Sequence, residues 1–207
     1  QQNQSNAFGL FISITDKYLA VSSTSISTVF LYKREGTNWK LLHTIASKDY
    51  PGIMLEMSFF GRRVSLTNEF LIIGNGDGSG SSAEHGAWMF NKNYGGTDNW
   101  GLFKSFTYPG SNDPSNTGFD NEQFGFSSSI DGDYVVICAN QGKSYDSGSS
   151  SFTNTGLAFV YYRHQGGRNN WGLQQRLFPQ TTNGDNDFVP DARFGNRSNI
   201  KGRYIVI

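Results

Sequence analysis

Apolar and polar positions alternate along this chain in short stretches, and the stretches return in phase. Four apolar positions, Ile14, Leu66, Ile130 and Ile200, are each followed four residues later by an aromatic: Tyr18, Phe70, Tyr134 and Tyr204. An apolar triplet comes next every time: Leu19-Ala20-Val21, Leu71-Ile72-Ile73, Val135-Val136-Ile137 and Ile205-Val206-Ile207. Between the two landmarks sits a polar pair, Asp16-Lys17, Asn68-Glu69, Gly132-Asp133 or Gly202-Arg203, suited to a tight turn. Strand, two-residue turn and strand is the pattern of a β-hairpin. The triplets are expected to be buried on both faces of their sheets.

A second hairpin follows in three of the four repeats. Its first strand is aromatic and apolar: Val29 to Tyr32, Ala87 to Phe90, and Ala158 to Tyr162. A polar, Gly-rich turn leads to Trp39, Trp100 or Trp171, with Leu41, Leu102 or Leu173 two residues on. A period-2 pattern follows each Trp, and no stretch of useful length carries helical periodicity. Each repeat therefore predicts four antiparallel strands.

Every repeat opens on Phe-Gly: Phe8-Gly9, Phe60-Gly61, Phe124-Gly125 and Phe194-Gly195, spaced by 52, 64 and 70 residues. The units run 8–59, 60–123 and 124–193, with a partial fourth over 194–207. Four antiparallel strands recurring at this period predict an all-β fold of β-propeller blades. A β-sandwich would not require the same landmarks to return. The four Phe residues are expected in equivalent buried places. The three Trp residues read as packing between repeats rather than as sugar-stacking platforms.

These residues resemble a known family. The run FGFSSSIDGDYVVICANQ, followed by GLAFVYYRHQGGRNNWGLQQRLF, is similar to the FG-GAP repeats of integrin-α-like propellers, above all in bacterial and protist surface proteins. The resemblance covers Phe8 to Ile207. It implies a ring of about seven blades, of which this chain would hold three and the first hairpin of another. It also implies a non-enzymatic module for extracellular adhesion or structural assembly. The alternative is a carbohydrate-binding or carbohydrate-processing propeller. Two features differ from the family. The "GAP" tripeptide is replaced by Val21-Ser22-Ser23, Gly74-Asn75-Gly76 and Ala139-Asn140-Gln141, and the usual calcium loop between the first two strands is replaced by the two-residue turn. The last strand, ending at Ile207, lacks the two outer strands of the complete units. The rest of a longer chain, or another subunit, is expected to complete the ring.

Composition narrows the partners. The formal net charge is zero and only 16% of residues are charged, so no basic stripe exists to meet phosphates and nucleic acid is not expected. No apolar run reaches the length of a membrane span. The single Cys138, inside YVVICA, reads as a core residue. Localisation at a cell surface or outside the cell follows from the resemblance. Two glycosylation sequons, Asn3-Gln4-Ser5 and Asn196-Arg197-Ser198, are compatible with it.

Few residues suggest chemistry. Asn183, Asp185, Asp187 and Asp191 put oxygen atoms at positions 1, 3, 5 and 9 of a loop, a spacing that suits calcium, although Phe188 stands where a turn glycine is usual. The glycine-rich run 74–80 lacks the helix that a phosphate loop needs. His43, His85 and His164 fall at unrelated positions in their units, and no catalytic motif surrounds them. No catalytic residue is assigned.

Length variation points to a binding face. Connections alternate between the two ends of an antiparallel unit. The first-to-second and third-to-fourth turns share one end and are short. The second-to-third connections, near 22–28, 74–86 and 139–157, share the other end with the unit-to-unit connections, and these are long and variable. Long loops on a rigid scaffold are where ligands bind. Asp77, Glu84, His85, Tyr145 and Asp146 are the candidate contacts for a protein or glycan ligand.

Overall fold

The computed structural model describes residues 7–50, 53, 60–75, 86–110, 123–146, 151–179 and 191–207; for 144–146 and 151–153 it describes the backbone alone. The described elements are antiparallel strands and two single turns of 3₁₀ helix. The first unit is a four-stranded sheet, β1 (Phe8–Ile14), β2 (Tyr18–Ser23), β3 (Thr28–Glu35) and β4 (Asn38–Ala46), in chain order. The second repeats it with β5 (Arg63–Leu66), β6 (Phe70–Asn75), β7 (Gly86–Asn91) and β8 (Gly101–Phe106).

The third unit uses β9 (Phe124–Asp131), β10 (Tyr134–Ala139), β13 (Leu157–Tyr162) and β14 (Gly172–Leu177). Between β10 and β13 lies a separate hairpin, β11 (Lys143–Asp146) and β12 (Ser151–Asn154). The sequence reading treats 139–157 as a loop. The hairpin signal was present in two short runs, KSYD and SFTN, on either side of the Gly/Ser sequence at 147–150. The fourth unit contributes the hairpin β15 (Asn199–Lys201) and β16 (Tyr204–Val206). No described sheet closes on itself.

Side-chain alternation explains why the triplets are apolar throughout. In β6, Leu71 and Ile73 join the core shared with the first unit, whereas Phe70 and Ile72 join the core shared with the third. In β10, Val135 and Ile137 face the second unit, whereas Val136 and Cys138 face the β15–β16 hairpin. A strand with packed cores on both faces reads as a continuous apolar run. Cys138 is fully buried, as the sequence predicts, and burial pushes its thiol pKa up to about 12.

The expectation of equivalent burial holds only where a neighbouring unit is present. Phe60 and Phe124 are fully buried, but Phe8 is 58% exposed and Phe194 is half-buried. Tyr18 and Phe70 are buried, whereas Tyr134 is 36% and Tyr204 79% exposed. For Phe8 and Tyr204 the physical reason is the direction of stacking; Phe194 packs on the third unit and is half-buried all the same. The Phe at the head of each unit packs on the unit before it, and the aromatic at the start of the second strand packs on the unit after it. Val206 is likewise exposed, while the internal triplets of β6 and β10 are buried throughout.

The Phe-Gly glycines show the same rule. Gly61, Gly125 and Gly195 all take left-handed φ values, 89°, 93° and 88°. A Cβ on Gly61 would press on Val29 and Ser22, one on Gly125 would collide with the Gly86 carbonyl, and one on Gly195 would lie 2.7 Å from the Cys138 Cβ. Each contact is with the preceding unit. Backbone conformation and close approach together require glycine. Gly9 has the same φ, 82°, but meets nothing.

Candidate binding face

The two ends of the units differ in construction. The end carrying the short turns is cross-braced by side chains. Thr15 Oγ1 donates to Asn68 Oδ1 at 2.7 Å, and Asn68 Nδ2 donates to Asp16 Oδ1 at 2.8 Å, tying the first turns of the first two units together. Farther along, the Gly202 N–H and Lys201 Nζ both donate to the Asp131 carboxylate, at 2.7 and 3.2 Å. That amide bond, more than the lysine, holds Asp131 below the usual carboxylate range.

Asp98 is the densest node of this end. It sits in the β7–β8 turn with φ 54° and receives the Tyr18 hydroxyl at 2.9 Å and Lys33 Nζ at 2.6 Å from the first unit. His43 Nε2 donates to its carbonyl at 2.6 Å. The Lys33 hydrogen bond is the main reason that its carboxyl titrates below the ordinary aspartate value.

The next joint repeats the plan with different residues. Arg163 ion-pairs with Glu69 at 2.9 Å and lies 5.1 Å over the Phe70 ring, as Lys92 lies 5.7 Å over Tyr18. Lys104, standing where His43 stands, donates to the Asn170 carbonyl. His164 Nδ1 accepts the Asn169 N–H, as Asn93 Oδ1 accepts the Asp98 N–H. Both described histidines thus serve the turns.

Under this brace lies the Trp contact. Tyr18 meets Trp100 edge-on with ring centroids 5.0 Å apart, and Phe70 meets Trp171 the same way at 5.2 Å. Trp100 and Trp171 are fully buried and hold positive φ values, 49° and 53°. These two are packing residues between units, as expected, whereas Trp39 of the first unit is only half-buried.

The opposite end carries the long connections. The candidates Asp77, Glu84, His85, Asn183, Asp185 and Asp187 lie outside the described residues. Tyr145 and Asp146 stand on β11, paired with Phe152 and Ser151, so the backbone hairpin carries both. Asp191 is exposed with φ 55°, and its N–H donates to the Asn154 carbonyl at 2.6 Å, which fastens the connection into the fourth unit to the end of β12. Among the described residues, no cluster of three or more His, Cys, Asp or Glu is placed to hold a metal.

Sequence reasoning missed one feature of this end. Arg63 lies with its guanidinium carbon 4.2 Å over Phe11 and 5.3 Å over Phe126, joining the first strands of three units. Phe11 and Arg63 stand at the same repeat position, three residues after their Phe-Gly Phe, but an aromatic in one unit and an arginine in the next announce no contact, and Phe126 stands one position earlier in its unit. Among the described residues no helix is long and apolar enough to cross a membrane. Comparison with family models and with curated proteins finds no match for this chain.

Proposed function

We propose that the units are blades of a β-propeller of the FG-GAP, integrin-α-like kind, acting as a non-enzymatic module for extracellular adhesion or assembly and binding through the end that carries the long connections. The observation that carries this reading is the contrast between the ends. One is cross-braced at successive joints by Asp98, Asn68 and Arg163. The other holds the connections from unit to unit and the added β11–β12 hairpin. Scaffolds that bind through loops are built this way.

Support for the propeller comes from the serial joints. The same strands and landmark residues pack unit one on two, two on three, and three on the fourth hairpin. Support for a non-enzymatic role comes from His43 and His164, each engaged with turn backbone. Further repeat units, in a longer chain or in another subunit, complete the ring in this reading.

The test replaces residues 143–154 with a two-residue turn and measures binding to immobilised extracellular-matrix proteins and to a glycan array. The reading predicts loss of binding to a matrix protein with the melting temperature kept within a few degrees. Loss of glycan binding alone, through Tyr145, would favour a lectin. Unchanged binding to every surface would sink the binding-face assignment.

A further inference from the structure

The first strands of the units form an inner row, in which β1 lies beside β5, β5 beside β9, and β9 beside β15. Their starts lie at the end that carries the long connections, and arginines gather there. Arg63 lies against rings of two other units, its guanidinium carbon 4.2 Å from the centre of Phe11 and 5.3 Å from that of Phe126. Arg62 lies 5.1 Å over the same Phe126 ring. Arg197, just before β15, is exposed, and its neighbours are anchored: Ser198 Oγ lies 2.9 Å from Ser127 Oγ, and Asn140 Nδ2 donates to Asn196 Oδ1 at 3.5 Å. Burial first, and then the charge of Arg197, lower the pKa of Arg62, so the second and fourth units bring their cations within electrostatic reach of each other.

Aromatic rings hold a cation without neutralising it. The ion pairs of the described residues, such as Lys33–Asp98 and Arg163–Glu69, stand at the short-turn end. Among the described residues, neither Arg63 nor Arg197 pairs with a carboxylate. Arg63 also keeps donors in reserve. Its Nη1 donates to the Arg62 carbonyl at 2.8 Å, and its Nε is buried without a hydrogen-bond partner. Like charges held this close repel, and an anion that joins them turns the repulsion into attraction. A guanidinium fork fits a carboxylate with two parallel hydrogen bonds, which a lysine in its place could not make.

We infer that the starts of the first strands form an anion site, at which Arg63 and Arg197, with Arg62 beside them, receive Asp or Glu carboxylates from an acidic segment of a protein partner. The site lies within the proposed binding end and depends on that reading, to which it adds the chemistry of the partner. A protein segment fits better than a sulfated glycan chain. Three clustered arginines in a chain of zero net charge suit one or two carboxylates, whereas a long polyanion is drawn to an extended basic stripe, which this sequence lacks.

The test follows binding of a fluorescent oligoglutamate peptide to the 207-residue chain by anisotropy at low and at physiological salt, with an oligoglutamine peptide and heparin as comparisons. The expected result is glutamate binding that salt weakens, no glutamine binding, and no tighter hold on heparin. Arg197→Gln changes an exposed side chain. Arg63→Lys keeps a cation at the two rings and loses the fork. Each weakens peptide binding by roughly 10-fold or more, the scale of losing an anchoring arginine. Circular dichroism checks the fold, and Arg197→Gln decides if Arg63→Lys does not fold. Arg168→Gln removes the same charge from an exposed turn at the opposite end and leaves binding unchanged. The inference is overturned by absence of glutamate binding at low salt, by tighter binding of heparin, or by equal weakening in Arg168→Gln and Arg197→Gln. The replacement of residues 143–154 keeps all three arginines, so the two readings fail separately: loss of matrix binding in that variant, with no oligoglutamate binding to the unaltered chain, keeps the binding end and rejects the anion site.

Discussion

Tyr18 and Trp100, 82 residues apart in the chain, meet edge-on at 5.0 Å while the Tyr18 hydroxyl donates to Asp98 two residues before that Trp. Phe70 meets Trp171 the same way without the hydroxyl, and Arg163 takes over the polar part by pairing with Glu69. One joint is thus built twice, with the apolar contact fixed and the polar contact substituted. Burial makes Tyr18 harder to ionise, and the bond to Asp98 adds to that.

Tyr18→Phe should cost roughly 0.5–1.5 kcal/mol, the net scale of a hydrogen bond, since the ring stays in place against Trp100. Urea unfolding measures it. A cost above about 3 kcal/mol would mean that the hydroxyl does more than meet Asp98.

Asp98 links stability to acid. Its folded pKa lies below the ordinary aspartate value of 3.8, so its contribution is present above that value and fades as pH falls through the folded pKa. Lys33 is shifted up by the same bond, so its contribution is full below the usual lysine pKa of 10.5 and is lost as pH rises through the higher folded value. Asp98→Asn should lower stability at pH 7 and reduce its fall below pH 4. A parallel acid profile for both proteins would contradict this.

Gly125→Ala should destabilise far more than Gly132→Ala. Both glycines have positive φ, but only at Gly125 would the Cβ strike backbone of the preceding unit. Left-handed strain costs of order 1–3 kcal/mol at either site, and the collision adds to it at Gly125. Equal losses on thermal melting would show that the close approach relaxes freely.

Ile72→Ala and Val136→Ala remove fully buried side chains that face the following unit. Ile72→Ala should cost about 2–5 kcal/mol and Val136→Ala somewhat less. A near-neutral result at Val136 would place β10 at an open edge.

Much of this fold was legible because its rules are local and repeated. Turn pairs such as Asn68-Glu69 and the triplet after Phe70 fix the hairpins, and repetition fixes their number. What was not legible is which neighbour each landmark meets. The sequence treats Phe8 and Phe124 alike, but Phe124 packs under the second unit, whereas Phe8 is exposed and meets Phe30 of its own sheet edge-on. The β11–β12 hairpin was easily passed over because its strands have only four residues each. Of the candidate binding residues, Tyr145, Asp146 and Asp191 fall among the described residues.

The account turns on the repeated joint between units, and a double-mutant cycle on Phe70 and Trp171 tests it most directly. Phe70→Leu, Trp171→Leu and the double variant would be unfolded in urea under identical conditions. The account predicts a coupling of about 0.5–1.5 kcal/mol in favour of the native pair, as edge-on aromatic contacts give. Strictly additive losses would contradict it, showing that the two rings stabilise their own sheets and not the joint between them.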